Sequence, residues 1–183
     1  MTSSNRRVAR AAGVVMAGFI ASRALGLLRE MIIGGRFGTS AELDAYLAAF
    51  RLPDILFQLM AGGALASAFI PTFTTYLAQG EEDEAWRLSS AIINLVMLFT
   101  GTAAALAALL APWIVAHVVA PRFPPAQQAL TASLMRWMLL APVVFGISGV
   151  VMGILNSFQH FLLPALAPVM YNLSIIGGAL FLA

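Results

Sequence analysis

Charged side chains lie inside a long apolar run near the start of this sequence, and this combination restricts the fold more than any other feature. The run begins near Ala11, and the stretch IASRALGLLRE, residues 20–30, carries Arg23, Arg29 and Glu30 within it. A charged side chain near the middle of a membrane helix costs about 2.5–3.5 kcal/mol on insertion scales. These side chains therefore need partners or water if the run crosses a membrane.

The charged residues of this stretch share one side of a helix. With Ser22 placed at zero and each residue turned by about 100°, Arg29 lies at about −20°, Gly26 at about 40° and Arg23 at about 100°. Apolar residues occupy the opposite side of the helix. This polar face predicts a water-filled cavity that accepts an anionic group. The alternative is a structural role, in which Arg29 reaches toward the membrane interface.

The composition indicates an integral membrane protein. Hydrophobic residues make up 61% of the 183 residues and charged residues 10%, whereas soluble domains have about 25% charged residues. All ten basic residues are arginines, and the net charge of +2 is too small to indicate nucleic acid as a partner. The absence of Cys excludes disulfides and thiolate ligands.

Apolar segments long enough for the roughly 20 residues of a spanning helix follow one another along the chain. They cover residues 11–33, 41–77, 88–119, 129–155 and 162–183. The second exceeds a straight crossing and contains Pro53 and the pair Gly62 and Gly63, which predict a bent or broken helix. Pro112 and Pro142 predict bends in the third and fourth segments. The sequence thus predicts an all-α, polytopic transmembrane helix bundle of about five spanning helices.

Arginine counts in the short loops predict the orientation of the chain, because cytoplasmic loops carry an excess of basic residues. With the N-terminus in the cytoplasm, that side holds Arg6, Arg7, Arg10 and Arg87, and the far side holds Arg36 and Arg122. The larger number on the first side favours a cytoplasmic N-terminus.

A second group of charges opens the second apolar segment. Asp44 and Arg51 are seven residues apart and share a face of the predicted helix. They either serve the function or are simply solvated near a helix end. Asp44 also has the charge to pair with Arg23 or Arg29 across two helices, which would hold these helices together when no ligand is bound.

The two histidines do not indicate a metal site. His117 and His160 each stand alone, without a second ligand at metal-binding spacing. A packing role is favoured for both, and the sequence predicts neither a metal nor a cofactor.

Several motifs taken together resemble one protein family. They are SRALGLLRE (22–30), FGTSAELDAYLAAFRLPD (37–54), GGALASAFIP (62–71), APW (111–113) and GILNSFQHFLLPALAPVMYN (153–172). In this order, over nearly the whole chain, they resemble the MurJ/MviN lipid II flippases of the MOP exporter superfamily. The resemblance implies a two-lobed transporter, of which this chain is expected to be the N-terminal lobe without its sixth helix.

The resemblance also implies a substrate. Family members move lipid II, the undecaprenyl-diphosphate-linked disaccharide-pentapeptide, across the cytoplasmic (inner) membrane by alternating access for cell-wall synthesis. The implied partners are lipid II, membrane lipids and the missing C-terminal lobe, and no enzymatic reaction is implied.

The resemblance assigns site residues as well. The family's cavity arginines on the first helix correspond to Arg23 and Arg29, beside Ser22, and its acid after that helix corresponds to Asp44. Arg51 is the candidate to replace a basic residue that family members carry further along the second helix. The substrate-binding group implied for this chain is therefore Ser22, Arg23, Arg29, Asp44 and Arg51.

The sequence departs from the family pattern at two places. The position of the second-helix basic residue corresponds to Phe57 or Gln58, and neither is basic. The element usually written AEGAF reads AGGAL here, so an acid is missing at Gly62.

Three alternatives remain at the level of the sequence. Another MOP-superfamily exporter, for drugs or polysaccharide-linked lipids, would carry an acid deep in its cavity if it exported cations. A membrane enzyme acting on the same lipid diphosphate would need an acid cluster or a His pair for a metal. A scaffold protein would not need the cavity arginines.

Overall fold

The computed structural model describes residues 3–61 and 64–181, and side chains within residues 12–59 and 68–181. Every regular element in these ranges is helical, which confirms the predicted all-α class. The helices are α1 (Ser3–Phe37), α2 (Ala41–Ala61), α3 (Ala64–Gln79), α4 (Glu82–Ile114), which continues into a π-helical segment (Val115–Val119), α5 (Pro125–Met138), α6 (Leu140–Ser157) and α7 (Leu162–Phe181). The chain forms two compact units, residues 1–39 with 158–183, and residues 40–157.

Four stretches among the described residues are long and apolar enough to cross a membrane. They are Ala12–Phe37, Glu82–Val119, Pro125–Ser157 and Leu162–Phe181. The predicted second span, residues 41–77, is not among them. Instead α2 carries four charged side chains, and α3 has 16 residues, about 24 Å of helix against about 30 Å of hydrocarbon.

The predicted bend at Gly62 and Gly63, and the acid missing at Gly62, lie outside the described residues. The helix α2 runs through Pro53 without ending. The predicted fourth span, residues 129–155, is two helices that meet at Leu139. Pro142 explains this break, because it has no N–H to donate to the carbonyl of Met138 and it fits the first turn of α6.

Local sequence signals fix several helix ends. Ser40 caps α2, since its Oγ accepts a hydrogen bond from the N–H of Leu43 at 3.2 Å. Gly80, with φ of 78°, ends α3. The N–H of Glu81 donates to the carbonyl of Tyr76 and that of Gly80 to Leu77, which is the Schellman motif.

The first unit consists of α1 and α7 packed along each other. At one end, a Cβ atom added at Gly18 would lie 2.8 Å from the carbonyl oxygen of Ala165. Toward the other end, Nη2 of Arg36 donates to the carbonyl of Leu180 at 3.0 Å. Residue numbers rise together in these contacts, so the two helices run in the same direction.

The second unit has two buried apolar clusters. Small residues dominate the first, in which α2, α4 and α5 approach closely; its buried members are Ala48, Ala49, Ala104, Ala111, Val115, Ala120, Ala132, Met135 and Leu139. Aromatic rings dominate the second, in which α3 packs against α4 and α6; its buried members are Phe69, Phe73, Ala85, Val96 and Val150. The two clusters lie toward opposite ends of α4. This helix is longer than any helix packed against it in this unit.

Candidate functional site

Arg29 is the most enclosed of the charged side chains that the structure describes on α1. Its side chain is 24% exposed, and its guanidinium carbon lies 6.0 Å from the centre of the Tyr171 ring on α7. Its Nη2 atom lies 3.6 Å from Oε1 of Glu30, whose side chain is 72% exposed. An ion pair with so exposed a partner stabilises weakly, and the Tyr171 ring lies at the outer limit of a cation–π contact.

Ser22 and Gly26 lie on the side of α1 that contacts α7. The side-chain amide of Asn172, 6% exposed, donates to the carbonyl of Ser22 at 3.3 Å and to its hydroxyl at 3.4 Å. The same amide donates to the carbonyl of Pro168 at 2.9 Å. A Cβ atom added at Gly26 would lie 3.9 Å from Oδ1 of Asn172. Asn172 thus covers the centre of the predicted polar arc.

Arg23 lies apart from these contacts. Its side chain is exposed, and its guanidinium carbon lies 5.1 Å from the centre of the Phe19 ring, one turn earlier on the same helix. Arg23 makes no hydrogen bond or ion pair within the part of the chain whose side chains are described. Its donors are therefore available to a ligand, and the assignment of Arg23 and Arg29 to a substrate cavity stays a prediction.

Asp44 and Arg51 are both exposed on α2. Asp44 lies in the first turn, where a carboxylate is stabilised by the helix dipole. Neither side chain has a hydrogen-bond or ion-pair partner among the described residues. Because Asp44 belongs to the second unit and the arginines of α1 to the first, the predicted ion pair between them stays a prediction.

Phe57 and Gln58, the positions at which family members carry a further basic residue, make other contacts in this chain. The ring of Phe57 packs edge-on against that of Phe145, with centres 5.6 Å apart. Nε2 of Gln58 donates to Oδ2 of Asp54 at 2.7 Å. The first contact links α2 to α6, and the second lies within α2, so neither position supplies a cation.

Sequence reasoning missed Asn172 and Arg136. Asn172 falls inside a motif that points to the family, but nothing local indicates that its amide bonds a residue 150 positions away. Arg136, on α5, donates from Nε to the carbonyl of Ala108 on α4 at 3.0 Å. One signal for this contact exists in the sequence: Ala108 precedes Pro112 by four residues, so its carbonyl lacks the usual helical donor.

A membrane helix with one exposed and one half-buried arginine suits the recognition of an anion. Arg stays charged and presents a planar fork of donors that matches the oxygens of a phosphate.

Comparison with known proteins gives the same family as the sequence motifs. The family model of the lipid II flippase MurJ matches residues 33–183. The chain is 31% identical over 172 residues to the lipid II flippase MurJ of Burkholderia cenocepacia, which covers 93% of this chain and 33% of that protein. It is 30% identical over 162 residues to a probable lipid II flippase MurJ of Buchnera aphidicola, covering 87% of this chain and 32% of the relative.

A third relative is the probable lipid II flippase MurJ of Bdellovibrio bacteriovorus, 31% identical over 188 residues, with 96% of this chain and 34% of the relative covered. The chain therefore spans about a third of the length of the curated relatives it matches.

Proposed function

Because this chain belongs to the MurJ family of lipid II flippases, we propose that the protein containing it moves lipid II across the cytoplasmic (inner) membrane without altering it chemically. The chain would supply one lobe of the transporter, and the remainder of the protein would supply the other. The observation that carries this proposal is the position of Arg29, a half-buried arginine within an apolar helix, six residues after an exposed one.

The chemistry of the substrate explains why arginines are needed at this depth. Moving a diphosphate and a sugar-peptide head through hydrocarbon is costly, because each polar group loses its hydrogen bonds to water. Arg23 and Arg29 would nearly neutralise a diphosphate and replace part of its hydration. The lipid tail would stay in the membrane while the head passes.

Ser22, Asp44 and Arg51 have secondary roles in this proposal. The hydroxyl of Ser22 would contact the substrate only if its bonds to Asn172 opened, so we assign it mainly to fixing α1. Arg51 would attract the diphosphate as a further exposed cation. Asp44 would pair with Arg23 or Arg29 in the absence of substrate. This ion pair would hold the two helices together.

We also propose a cytoplasmic N-terminus. The arginine excess on that side supports it. The common direction of α1 and α7 bears on which loops share the side of the N-terminus, because it requires an odd number of crossings between these two helices. The stretches Glu82–Val119 and Pro125–Ser157 supply two, so α2 and α3 together would supply the third, and the loop at Gly80 would be cytoplasmic.

Substitution of the arginines in the complete protein tests the proposal. In cells depleted of their own flippase, Arg23→Ala and Arg29→Ala should abolish growth at normal membrane abundance. Lys at either position should act better than Ala and worse than Arg, because the charge stays and the two-pronged hydrogen bonding is lost. Arg87→Ala is the matched control, since Arg87 pairs with Glu84 near the start of α4.

Full growth with both Ala variants would contradict the assignment, and the arginines would then be structural. A reporter fused after Gly80 tests the orientation separately; activity only on the periplasmic side would contradict it.

A further inference from the structure

We propose that Arg136 binds the phosphate of a lipid headgroup at the membrane face opposite the acidic start of α4. This inference does not depend on the proposed function, since it rests on the second unit alone. It starts from the hydrogen bond between Nε of Arg136 and the carbonyl of Ala108.

The acceptor in this bond is a carbonyl that lacks its usual α-helical donor. In an α-helix the carbonyl of residue 108 accepts from the N–H of residue 112, and residue 112 is proline. The bond therefore holds the guanidinium of Arg136, which belongs to α5, against α4.

The bond to Ala108 uses one edge of the guanidinium only. Arg has five N–H donors, and Arg136 makes no other hydrogen bond or ion pair within the described ranges. Its side chain is exposed. The two Nη groups are thus held in place and open, and this planar pair of donors matches two oxygens of one phosphate.

Two helices independently give the depth of this group. Glu82, Asp83 and Glu84 form the first turn of α4 and must be in water or at the headgroups. Ala108 lies 24 residues after Glu84, about 36 Å along the helix at 1.5 Å per residue. The hydrocarbon is about 30 Å thick, so Ala108 reaches the headgroup level of the opposite face.

The second helix gives the same depth. The 18 residues of α6 carry no charge and span about 27 Å, which nearly fills the hydrocarbon. Arg136 precedes α6 by four residues, so it also lies at the headgroup level. Trp113 and Trp137, 57% and 74% exposed, flank the bond along their helices, as expected for aromatic residues at an interface.

The phosphate has two sources at this depth, a phospholipid of that leaflet and a polyprenyl diphosphate. Native mass spectrometry of the purified complete protein distinguishes them by titration with phosphatidylglycerol, undecaprenyl diphosphate and, as a phosphate-free control, diacylglycerol. We expect Arg136→Gln to weaken binding of at least one phosphate lipid about tenfold, the value of one charged hydrogen-bond pair. Diacylglycerol binding should not change.

Two further variants separate binding from the structural role of Arg136. Pro112→Ala restores an N–H for the carbonyl of Ala108, so it should remove any loss of thermal stability caused by Arg136→Gln while the loss of lipid binding remains. Arg122→Gln is the matched control, because Arg122 is an exposed arginine without a partner among the described residues, and it should change lipid binding less than twofold.

A loss confined to phosphatidylglycerol would assign the site to bulk phospholipid, and a loss confined to undecaprenyl diphosphate would assign it to the carrier lipid; either supports a phosphate site. Unchanged binding of both in Arg136→Gln would overturn the proposal. Arg136 would then serve only the carbonyl of Ala108.

Discussion

The close approach of α1 and α7 at Gly18 predicts opposite effects of the same substitution at two glycines of one helix. A Cβ atom at Gly18 would lie 2.8 Å from the carbonyl oxygen of Ala165 and 2.9 Å from its Cβ atom. Neither neighbour is a flexible side-chain end, so the helices must move apart. At Gly35, a Cβ atom would meet nothing within 4 Å.

The expected magnitudes follow from two opposing terms. Ala is favoured over Gly in a helix by up to about 1 kcal/mol. Overpacking of a tight contact costs about 1–3 kcal/mol. Gly35→Ala should therefore leave the protein as stable or stabilise it slightly, whereas Gly18→Ala should destabilise it by as much as about 2 kcal/mol.

Thermal unfolding of the complete protein in detergent measures both variants. Ala165→Gly removes one of the two clashing atoms, so Gly18→Ala should cost less stability in an Ala165→Gly background than in the unaltered protein. Equal unfolding midpoints for Gly18→Ala and Gly35→Ala would refute the close approach of α1 and α7.

Three further predictions concern α1, α2 and α7. Asn172→Leu removes two long hydrogen bonds to Ser22 and should lower stability by about 0.6–1.7 kcal/mol. Asn172→Asp should lower it further, since a carboxylate would face the carbonyls of Ser22 and Pro168. A higher unfolding midpoint for Asn172→Asp than for Asn172→Leu would contradict this. Ser40→Ala should cost about 1 kcal/mol through loss of the α2 cap, measured as faster hydrogen exchange at Leu43, and unchanged exchange would argue against the cap. In a cysteine scan of residues 20–32, thiol labelling should be strongest at positions 23 and 30, the exposed part of the polar arc. Strongest labelling at Ala24, Leu28 and Met31 would instead show the arginines facing away from water.

Hydrophobic patterning predicts the extent of long uninterrupted helices better than it predicts where an apolar run divides. The predicted segments 88–119 and 162–183 lie close to the bounds of the helices at 82–119 and 162–181. A long apolar run between polar loops can satisfy its backbone hydrogen bonds in a bilayer by forming a helix. The segment 129–155 does not reveal its division at Leu139, because its hydropathy continues through the break. Only the missing N–H of Pro142 marks it.

Part of the candidate site follows from the sequence, since charges within an apolar helix stand out by composition alone. Arg23 and Arg29 are found in this way. The contacts around these arginines cannot be found from the sequence, because Asn172 and Tyr171 lie far along the chain. A helical wheel of α1 also does not show which of its sides packs against α7. The bond between Arg136 and Ala108 is of the same kind: the sequence shows the orphaned carbonyl but not its donor.

The proposed transport can be measured directly in cells depleted of their own flippase and supplied with the complete protein. An enzyme that cleaves lipid II at its diphosphate, added outside and unable to cross the membrane, reports how much lipid II has reached the outer face. We predict cleavage with the unaltered protein and with Arg87→Ala, and little or none with Arg29→Ala at equal abundance. Lipid II that stays uncleaved with the unaltered protein, or is cleaved equally with Arg29→Ala, would contradict arginine-dependent flipping.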